Sequence, residues 1–305
     1  VFRRRQRQMC IRDSLEVMKK NGLTLIDPTG EENTAIVTCT DEPDSLGVQD
    51  YLFLTIKSPA LLPSLKAMKP LIGKDTTIIT CMNGIPHWYF HKLDNKYANY
   101  KIKCLDPNLL IDAILPPDNI VGSVVYPACE IVKPGTIRHI AGNRFSLGEP
   151  EGSESDRLKF ISEILKKAGF RAPIQKNIRD EIWLKLIGNL SFNPISALTG
   201  ATLEQICNDK GTEAIVRAMM TEAKIIAEEL GAKINMSIEK RIEGARKVGA
   251  HKTSMLQDIE AGKPLEIDSI IIAVKELGEL TSSPTPNIDT ILNLTIQKAK
   301  LMGCL

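Results

Sequence analysis

The pattern of apolar residues changes its period midway along the chain, and this change constrains the fold more than any other feature. In the first half, short apolar runs alternate with helical patterns, as where Tyr51–Ile56 (YLFLTI) precedes Ser58–Lys69. Near-continuous apolar strands are typical of a parallel sheet that is buried on both faces. From Asn177 onward the patterns are helical, with glycines where helices should end. The sequence therefore predicts an α/β protein, with a Rossmann-like parallel sheet domain followed by an all-α helical domain.

Local patterns place the individual elements. Strands are predicted at Thr34–Cys39, Tyr51–Ile56, Thr76–Met82 and Asn119–Tyr126, with a later pair at Thr136–Ala141 and Arg144–Leu147. Helices are predicted at Ser58–Lys69, Arg157–Gly169, Ile178–Leu198, Gly211–Leu230, Ser237–Val248, Ser254–Ala261, Pro264–Leu280 and Asn287–Met302. The domains are then residues 15–176 and 177–305, with a ligand cleft at the carboxyl ends of the strands.

Residues 1–14 differ in composition from everything that follows. Arg3, Arg4, Arg5 and Arg7 crowd into this segment and no apolar stretch comes after them, which excludes a secretory signal. Asp13 and the shortness of the segment also count against a basic transit peptide. We interpret residues 1–14 as a non-native segment that takes no part in the fold.

Composition excludes several classes of function. The net charge of +2 and the aromatic content of 5% argue against nucleic-acid binding. The longest apolar runs are too short to span a bilayer, so no membrane partner is expected. Seven scattered cysteines without a CxxC motif indicate reduced thiols in a cytoplasmic protein. The four histidines show no metal-ligand spacing, and no metal site is predicted.

A row of polar residues crosses the otherwise apolar helix predicted at Ile178–Leu198. Lys185, Asn189 and Asn193 stand four residues apart and therefore lie along one side of the helix. Because an unpaired buried polar group costs about 1–3 kcal/mol, the row either lines a polar site or forms the one solvated face of the helix. In a site, the ammonium would protonate a ketone oxygen as hydride arrives, and the amides would hold a small polar substrate.

Other polar residues are weaker candidates when each is considered alone. Ser254 begins a predicted helix, where it is either a cap or a contact for an anionic ligand. Glu266 stands near another helix start, where acidic residues are favoured in any case. Lys57 and Asn83 follow predicted strands directly, at the edge of the sheet where a nucleotide would pass.

Together these segments resemble the ketopantoate reductase (2-dehydropantoate 2-reductase) family. The resemblance covers about residues 15–303, and several long motifs occur in the family's order. The motifs are LTIKSPAL around Lys57, MNGIPHWYF (Met82–Phe90), VGSVVYPA (Val121–Ala128), PGTIRHIAGNRFSLGEP (Pro134–Pro150), RDEIWLKLIGNLSFNPISALTG (Arg179–Gly200) and GAHKTSMLQDIEAGKPLEID (Gly249–Asp268). The resemblance implies NADPH-dependent reduction of 2-dehydropantoate to pantoate, a step of pantothenate and coenzyme A biosynthesis.

The resemblance also implies roles for residues that contact the substrate. Lys185 matches the family's catalytic lysine, which acts as general acid at the ketone oxygen. Asn189 and Asn193 match substrate-binding asparagines on the same helix, and Ser254 matches a serine that contacts the substrate carboxylate. The small 2-oxo acid is thus the expected partner, and the sequence leaves a homodimer open.

Four further positions match residues that contact the cofactor. Glu266 matches a glutamate at the mouth of the active site that touches NADPH and is important for turnover. Lys57 and Asn83 match cofactor-binding residues, and Ala128 is a weaker match in the same role. Contacts in the helical half would thus complete a cofactor site that begins on the sheet.

One departure from the family pattern concerns the nucleotide-binding loop. The family begins with a strand, a GxGxxG loop and a helix, whereas no Gly-x-Gly occurs in this chain. Without that unit the pyrophosphate would lose the helix N-terminus that holds it, and the sheet would expose an edge. Two alternatives to the pantoate assignment therefore stay open: a related reductase of another small 2-oxo acid, or an inactive fragment that lacks the cofactor loop.

We expect the full gene product to be an active reductase, whereas the chain as printed should bind NADPH weakly or not at all, because the pyrophosphate contacts are missing. Titration of the purified chain with NADPH, followed by nicotinamide fluorescence, measures this binding. A dissociation constant in the micromolar range would refute the expectation.

Overall fold

The computed structural model describes residues 14–305, so the segment that we interpret as non-native lies outside it except for Ser14. The first part of the chain forms two sheets and the helices that flank them. In order, the elements are α1 (described over residues 14–21), β1 (Leu23–Ile26), β2 (Glu32–Ala35), β3 (Tyr51–Leu54), α2 (Ser58–Met68), β4 (Thr77–Thr80), α3 (Leu110–Ile114), β5 (Ile120–Val125), β6 (Ala128–Lys133), β7 (Thr136–Ala141) and β8 (Phe145–Gly148).

The rest of the chain is helical. The elements are α4 (Asp156–Lys167), α5 (Ile178–Thr199), α6 (Leu203–Asn208), α7 (Lys210–Glu229), α8 (Ile238–Val248), α9 (Ser254–Glu260), a π-helical turn (Asp268–Ile272) that leads into α10 (Ala273–Thr281), and α11 (Pro286–Met302). A search of the described helices found none with the length and apolar character needed to cross a bilayer.

The main sheet has the strand order β3-β4-β5-β8, in which β3, β4 and β5 run parallel and β8 is antiparallel to β5. Alternate residues of the central strands face opposite sides. Ile78 and Ile120 belong to the large core that also includes residues of α2 and α5. Ile79 and Val121 pack in a smaller cluster with Leu158 of α4. Both faces are thus covered, which accounts for the near-continuous apolar runs in the sequence.

The second sheet, with the strand order β2-β1-β7-β6, is an addition to the predicted fold. The strands β1 and β6 were not predicted, and β7 and β8, predicted as a pair, lie in different sheets. The strand predicted at Thr34–Cys39 extends only to Ala35. The physical reason is exposure: Leu25, Ile131 and Ile140 are exposed, so these strands lack a clear apolar alternation.

Helix α5 is the central element of the helical part. Trp183, Leu186 and Leu190 on this helix are almost fully buried. The helix begins at an Asn177 cap whose side chain accepts a hydrogen bond from Arg179 N, and it continues past Pro194 to Thr199. The predicted helix at Pro264–Leu280 is wrong at its start, because helical structure begins only at Asp268.

Buried polar contacts fix α5 against the sheet domain. The guanidinium of Arg179 donates hydrogen bonds to the backbone carbonyls of Tyr89 and His91, each at 2.7 Å, and to that of Pro150. A charged donor held by several carbonyls satisfies its hydrogen-bonding capacity away from water. The position of α5 relative to the carboxyl ends of the strands is therefore well determined.

Gly122 in β5 provides a test of this packing, because a Cβ there would lie 2.6 and 2.8 Å from ring atoms of the buried Trp88. We predict that Gly122→Ala lowers the free energy of unfolding by about 1–3 kcal/mol, the usual cost of overpacking a core. Gly244 of α8 has no neighbour within 4 Å, so Gly244→Ala is the control and should be neutral or slightly stabilising. Urea denaturation measures both; equal stability of the two variants would contradict the packing described.

Candidate active site

Three parallel strands end at the same edge of the main sheet, and each contributes a polar group there. Lys57 and Ser58 follow β3, Asn83 follows β4, and Val125 is the last residue of β5. Because the carboxyl ends of parallel strands share an edge, these groups face the helical part of the chain together. Lys185 of α5 reaches this edge from the opposite side.

The ammonium of Lys185 is held by two hydrogen bonds across the cleft. Nζ donates to Asn83 Oδ1 and to the carbonyl oxygen of Val125, each at 2.6 Å. Nζ also lies 5.8 Å from the centre of the Tyr126 ring. Burial is the main cause that lowers the pKa of Lys185 to about 8, while the negative charge of Glu266 acts in the opposite direction. An ammonium with this pKa can give up its proton near neutral pH.

Glu266 completes the network, although the sequence favoured a simple helix-start role for it. The residue is 5% exposed, and its Oε2 accepts a hydrogen bond from Asn83 Nδ2 at 3.2 Å. Its Oε1 lies 3.4 Å from the backbone N of Ser58 at the start of α2. Asn83 thus uses one amide atom toward Lys185 and the other toward Glu266, so the two charged groups share one orienting side chain.

A cavity of about 320 Å³ opens beside this network. Asn83, Lys185, Asn189 and Asp268 supply polar groups to its wall, and most of the remaining lining is apolar and comes mainly from α2, α5 and the loop after β4. The apolar lining includes Leu61, Leu62, Ile85, Trp88, Leu105 and Ile111. Such a cavity suits a small ligand with a polar end and an apolar body.

Three further polar atoms on the cavity wall are buried and have no hydrogen-bond partner among residues 14–305. They are His87 Nε2, Ser123 Oγ and Ser269 Oγ. Burial lowers the pKa of His87 to about 4, so its imidazole is neutral at pH 7. Since buried polar groups in proteins are rarely left unsatisfied, these atoms are suited to hydrogen-bond a ligand. These residues were not predicted, because an isolated serine or histidine forms no recognisable sequence pattern.

The other predicted residues occupy different positions around the cleft. Asn193 continues the row one helical turn beyond Asn189 and is 5% exposed, and its Nδ2 has no hydrogen-bond partner in the described part of the chain. Lys57 forms an ion pair with Asp258 of α9, and its side chain is 44% exposed. The Lys57–Asp258 ion pair connects the sheet edge to the helical part. Neither Lys57 nor Asn193 lines the cavity.

Two predicted residues are not brought into the network. Ser254 is the first residue of α9 and is exposed, and the cap of that helix is Thr253, whose hydroxyl accepts a hydrogen bond from Leu256 N at 3.3 Å. Ala128 is half-buried at the start of β6 in the second sheet. Neither residue lines the cavity beside Lys185.

Comparison with known proteins places this architecture in a family. Residues 5–152 match the model of the family described as ketopantoate reductase PanE/ApbA, and residues 177–299 match the model of its C-terminal part. A 2-dehydropantoate 2-reductase of Mesorhizobium japonicum is 48% identical over 290 residues, which cover 95% of this chain and 89% of the relative.

Solved structures share this fold. A protein of Ralstonia solanacearum assigned to the ketopantoate reductases superposes with a TM-score of 0.91 at 38% identity, covering 96% of this chain and 89% of the other. A ketopantoate reductase of Staphylococcus aureus, described as dimeric, shares the fold with a TM-score of 0.71 at 20% identity, over 92% and 88% of the two chains.

The network makes a prediction about the ammonium of Lys185. Because the charge of Glu266 raises the pKa of Lys185, Glu266→Gln should lower that pKa below its value of about 8. Asp258→Asn is the control, since Asp258 pairs with Lys57 instead. NMR titration of ¹³C-methylated lysines measures the shift, with Lys185→Arg identifying the resonance. An unchanged pKa in Glu266→Gln would show that the two groups are not coupled.

Proposed function

The chain belongs to the ketopantoate reductase family, and on this premise we propose that it reduces 2-dehydropantoate to pantoate with NADPH. The observation that carries the proposal is the ammonium of Lys185, fixed by Asn83 and Val125 beside a cavity large enough for a small 2-oxo acid. When bound, NADPH supplies the hydride that adds to the keto carbon. The residues of this chain then have to bind the acid, orient it and deliver one proton.

Lys185 is the proposed general acid. As hydride adds to C2, negative charge develops on the former keto oxygen, and Nζ donates its proton to that oxygen. The pKa of about 8 leaves most of the ammonium protonated at pH 7 while making its proton easier to transfer. The neutral amine then regains a proton from water, so the reaction consumes one hydride and one proton for each hydroxy acid formed.

The remaining residues have proposed roles that follow their positions. Asn83 and Glu266 orient Lys185, and they also contact the cofactor together with Lys57, because the carboxyl ends of the strands are where nucleotides bind in such sheets. Asn189, which lines the cavity, binds the substrate, and the unpaired amide of Asn193 supports the same role one turn further along.

Two assignments rest on the family resemblance alone. Ser254 would contact the substrate carboxylate and Ala128 the cofactor, yet Ser254 is exposed and Ala128 lies in the second sheet. Either residue would have to approach the site when ligands bind.

The proposal also covers the domain boundary, the oligomeric state and the cellular location. We place the domain boundary near residue 177, and the separate family match that begins at this residue supports it. We also propose a homodimer, because a protein of the same fold from Staphylococcus aureus is described as dimeric. A cytoplasmic location fits the free thiols of Cys39, Cys81, Cys104, Cys129 and Cys207.

The apolar lining of the cavity favours one second candidate. Leu61, Trp88 and Ile111 would accommodate an apolar substituent, so a related 2-oxo acid with a larger apolar side chain is the alternative substrate. Comparing kcat/KM for 2-dehydropantoate, pyruvate and branched or aromatic 2-oxo acids distinguishes the two candidate substrates. A higher value for one of the other acids would replace the pantoate assignment.

The role of Lys185 predicts a large and specific loss of activity. In the full-length gene product, Lys185→Ala should reduce kcat for 2-dehydropantoate by roughly 10²–10⁴-fold, the usual contribution of a general acid. Lys275→Ala, which removes a lysine from the outer surface of α10, is the control and should leave kcat unchanged. NADPH oxidation at 340 nm is the assay. Equal kcat in the two variants would exclude Lys185 as the acid.

A further inference from the structure

His87 on the cavity wall has a ring nitrogen that the described residues leave unused. Its side chain is 5% exposed, and its Nε2 is buried with no hydrogen-bond partner in residues 14–305. Oδ1 of Asp112 lies 4.0 Å from Nε2, which is beyond hydrogen-bond distance. Because buried polar atoms in proteins nearly always have a partner, this nitrogen is suited to bind a ligand.

The position of the ring proton decides what kind of ligand atom Nε2 can bind. Burial lowers the pKa of His87 to about 4, so the imidazole is neutral at pH 7 and carries one N–H. A hydrogen bond between the ring and the backbone of Leu115 acts in the opposite direction, as an N–H that donates to a carbonyl does. Since Nε2 has no partner, Nδ1 makes this bond and carries the proton. Nε2 is therefore an acceptor, and it requires a ligand with an O–H or N–H group.

The charged residues near the ring do not supply this donor. Both oxygens of Asp106 accept hydrogen bonds from backbone N–H groups at the start of α3. Asp112 pairs with the ammonium of Lys101 through Oδ2, and its Oδ1 has no proton to donate as long as the carboxyl group is ionised. A donor for Nε2 therefore has to come from the cavity.

The loop that carries His87 is fixed at several points. Gly84 has a φ of +85°, and a Cβ there would lie 2.3 Å from the carbonyl oxygen of Ser269. Ile85 donates its backbone N–H to the same carbonyl at 2.8 Å. Trp88 Nε1 donates to a hydroxyl of β4 at 3.0 Å. The backbone around His87 is thus held in place, as precise recognition of a ligand requires.

The same loop begins at the residue that orients the proposed general acid. Asn83, whose Oδ1 binds Lys185 Nζ, stands four residues before His87. Four residues span at most about 14 Å. All three residues line one cavity, whose remaining wall is mostly apolar. A small molecule in this cavity therefore meets an ammonium, an apolar surface and an acceptor nitrogen.

We propose that His87 Nε2 accepts a hydrogen bond from a hydroxyl group on the side chain of the 2-oxo acid, and that His87 thereby selects hydroxylated substrates. The proposal rests on the function assigned above and extends it to a determinant of specificity. In 2-dehydropantoate, the carbon next to the keto group carries two methyl groups and a CH2OH group. The apolar wall suits the methyl groups, and the hydroxyl is the donor that Nε2 lacks.

The test compares 2-dehydropantoate with 3,3-dimethyl-2-oxobutanoate, which has a hydrogen atom in place of the hydroxyl and is otherwise identical. With NADPH and the full-length gene product, we expect kcat/KM to be roughly 10–100-fold higher for the hydroxylated acid, because the other acid leaves a buried acceptor unpaired. This comparison needs no variant, so it does not depend on how a substitution affects folding.

Two variants then assign the preference to His87. His87→Phe keeps a planar ring but removes the acceptor, so the ratio of the two kcat/KM values should fall to near one. The value for 3,3-dimethyl-2-oxobutanoate should equal or exceed that of the wild type, since no polar atom is left unpaired. His87→Gln retains an acceptor oxygen and should recover part of the preference.

His91→Phe is the matched control, because the same substitution is made in the same loop. The ring of His91 binds Asp118, and His91 does not line the cavity. This variant should keep the wild-type ratio of kcat/KM values. A purely structural role of His87 would lower both values by the same factor in His87→Phe and leave their ratio unchanged.

Equal kcat/KM for the two acids in the wild type would overturn the proposal and leave the reductase activity intact. A wild-type ratio in His87→Phe would also overturn it, because another residue would then bind the hydroxyl. If the wild type prefers a 2-oxo acid without a hydroxyl, both this proposal and the pantoate assignment fall. If the protein reduces no 2-oxo acid, the proposed function itself fails.

Discussion

The two hydrogen bonds from Lys185 Nζ to Asn83 Oδ1 and the Val125 carbonyl join the helical part of the chain to the edge of the sheet. Each acceptor stands at the carboxyl end of a different parallel strand, so the ammonium is positioned by the sheet and carried by α5. The buried Arg179 contacts fix the beginning of the same helix. The site therefore depends on the docking of α5, and a shift of this helix would separate the acid from the groups that orient it.

Burial and charge together give this ammonium its chemistry. Desolvation lowers the pKa of Lys185, and the carboxylate of Glu266 keeps the shift from going further. The balance yields an acid that is protonated at neutral pH and still able to transfer its proton. On the cavity wall, His87 Nε2, Ser123 Oγ and Ser269 Oγ are buried with no hydrogen-bond partner among the described residues, which suits them to bind a polar ligand.

The sequence predicted the central parts of the fold because their burial leaves a periodic signal. The strands at Tyr51, Thr77 and Ile120 and the helix at Ile178 begin within one residue of their predicted starts. The second sheet was missed because its exposed strands carry no such signal. The Lys185–Asn189–Asn193 row was visible as polarity inside an apolar helix. The sequence could not reveal the partners of Glu266 or the position of Arg241 against Gly188, because both depend on tertiary contacts between distant segments.

The most direct test of the account is a crystal structure of the full-length gene product with NADP⁺ and pantoate. We predict that the C2 hydroxyl oxygen of pantoate lies about 2.6–3.2 Å from Lys185 Nζ, within hydrogen-bond reach. A ternary complex in which this oxygen points away from Lys185, with the ammonium still bound to Asn83 and Val125 alone, would contradict the assignment of Lys185 as the acid.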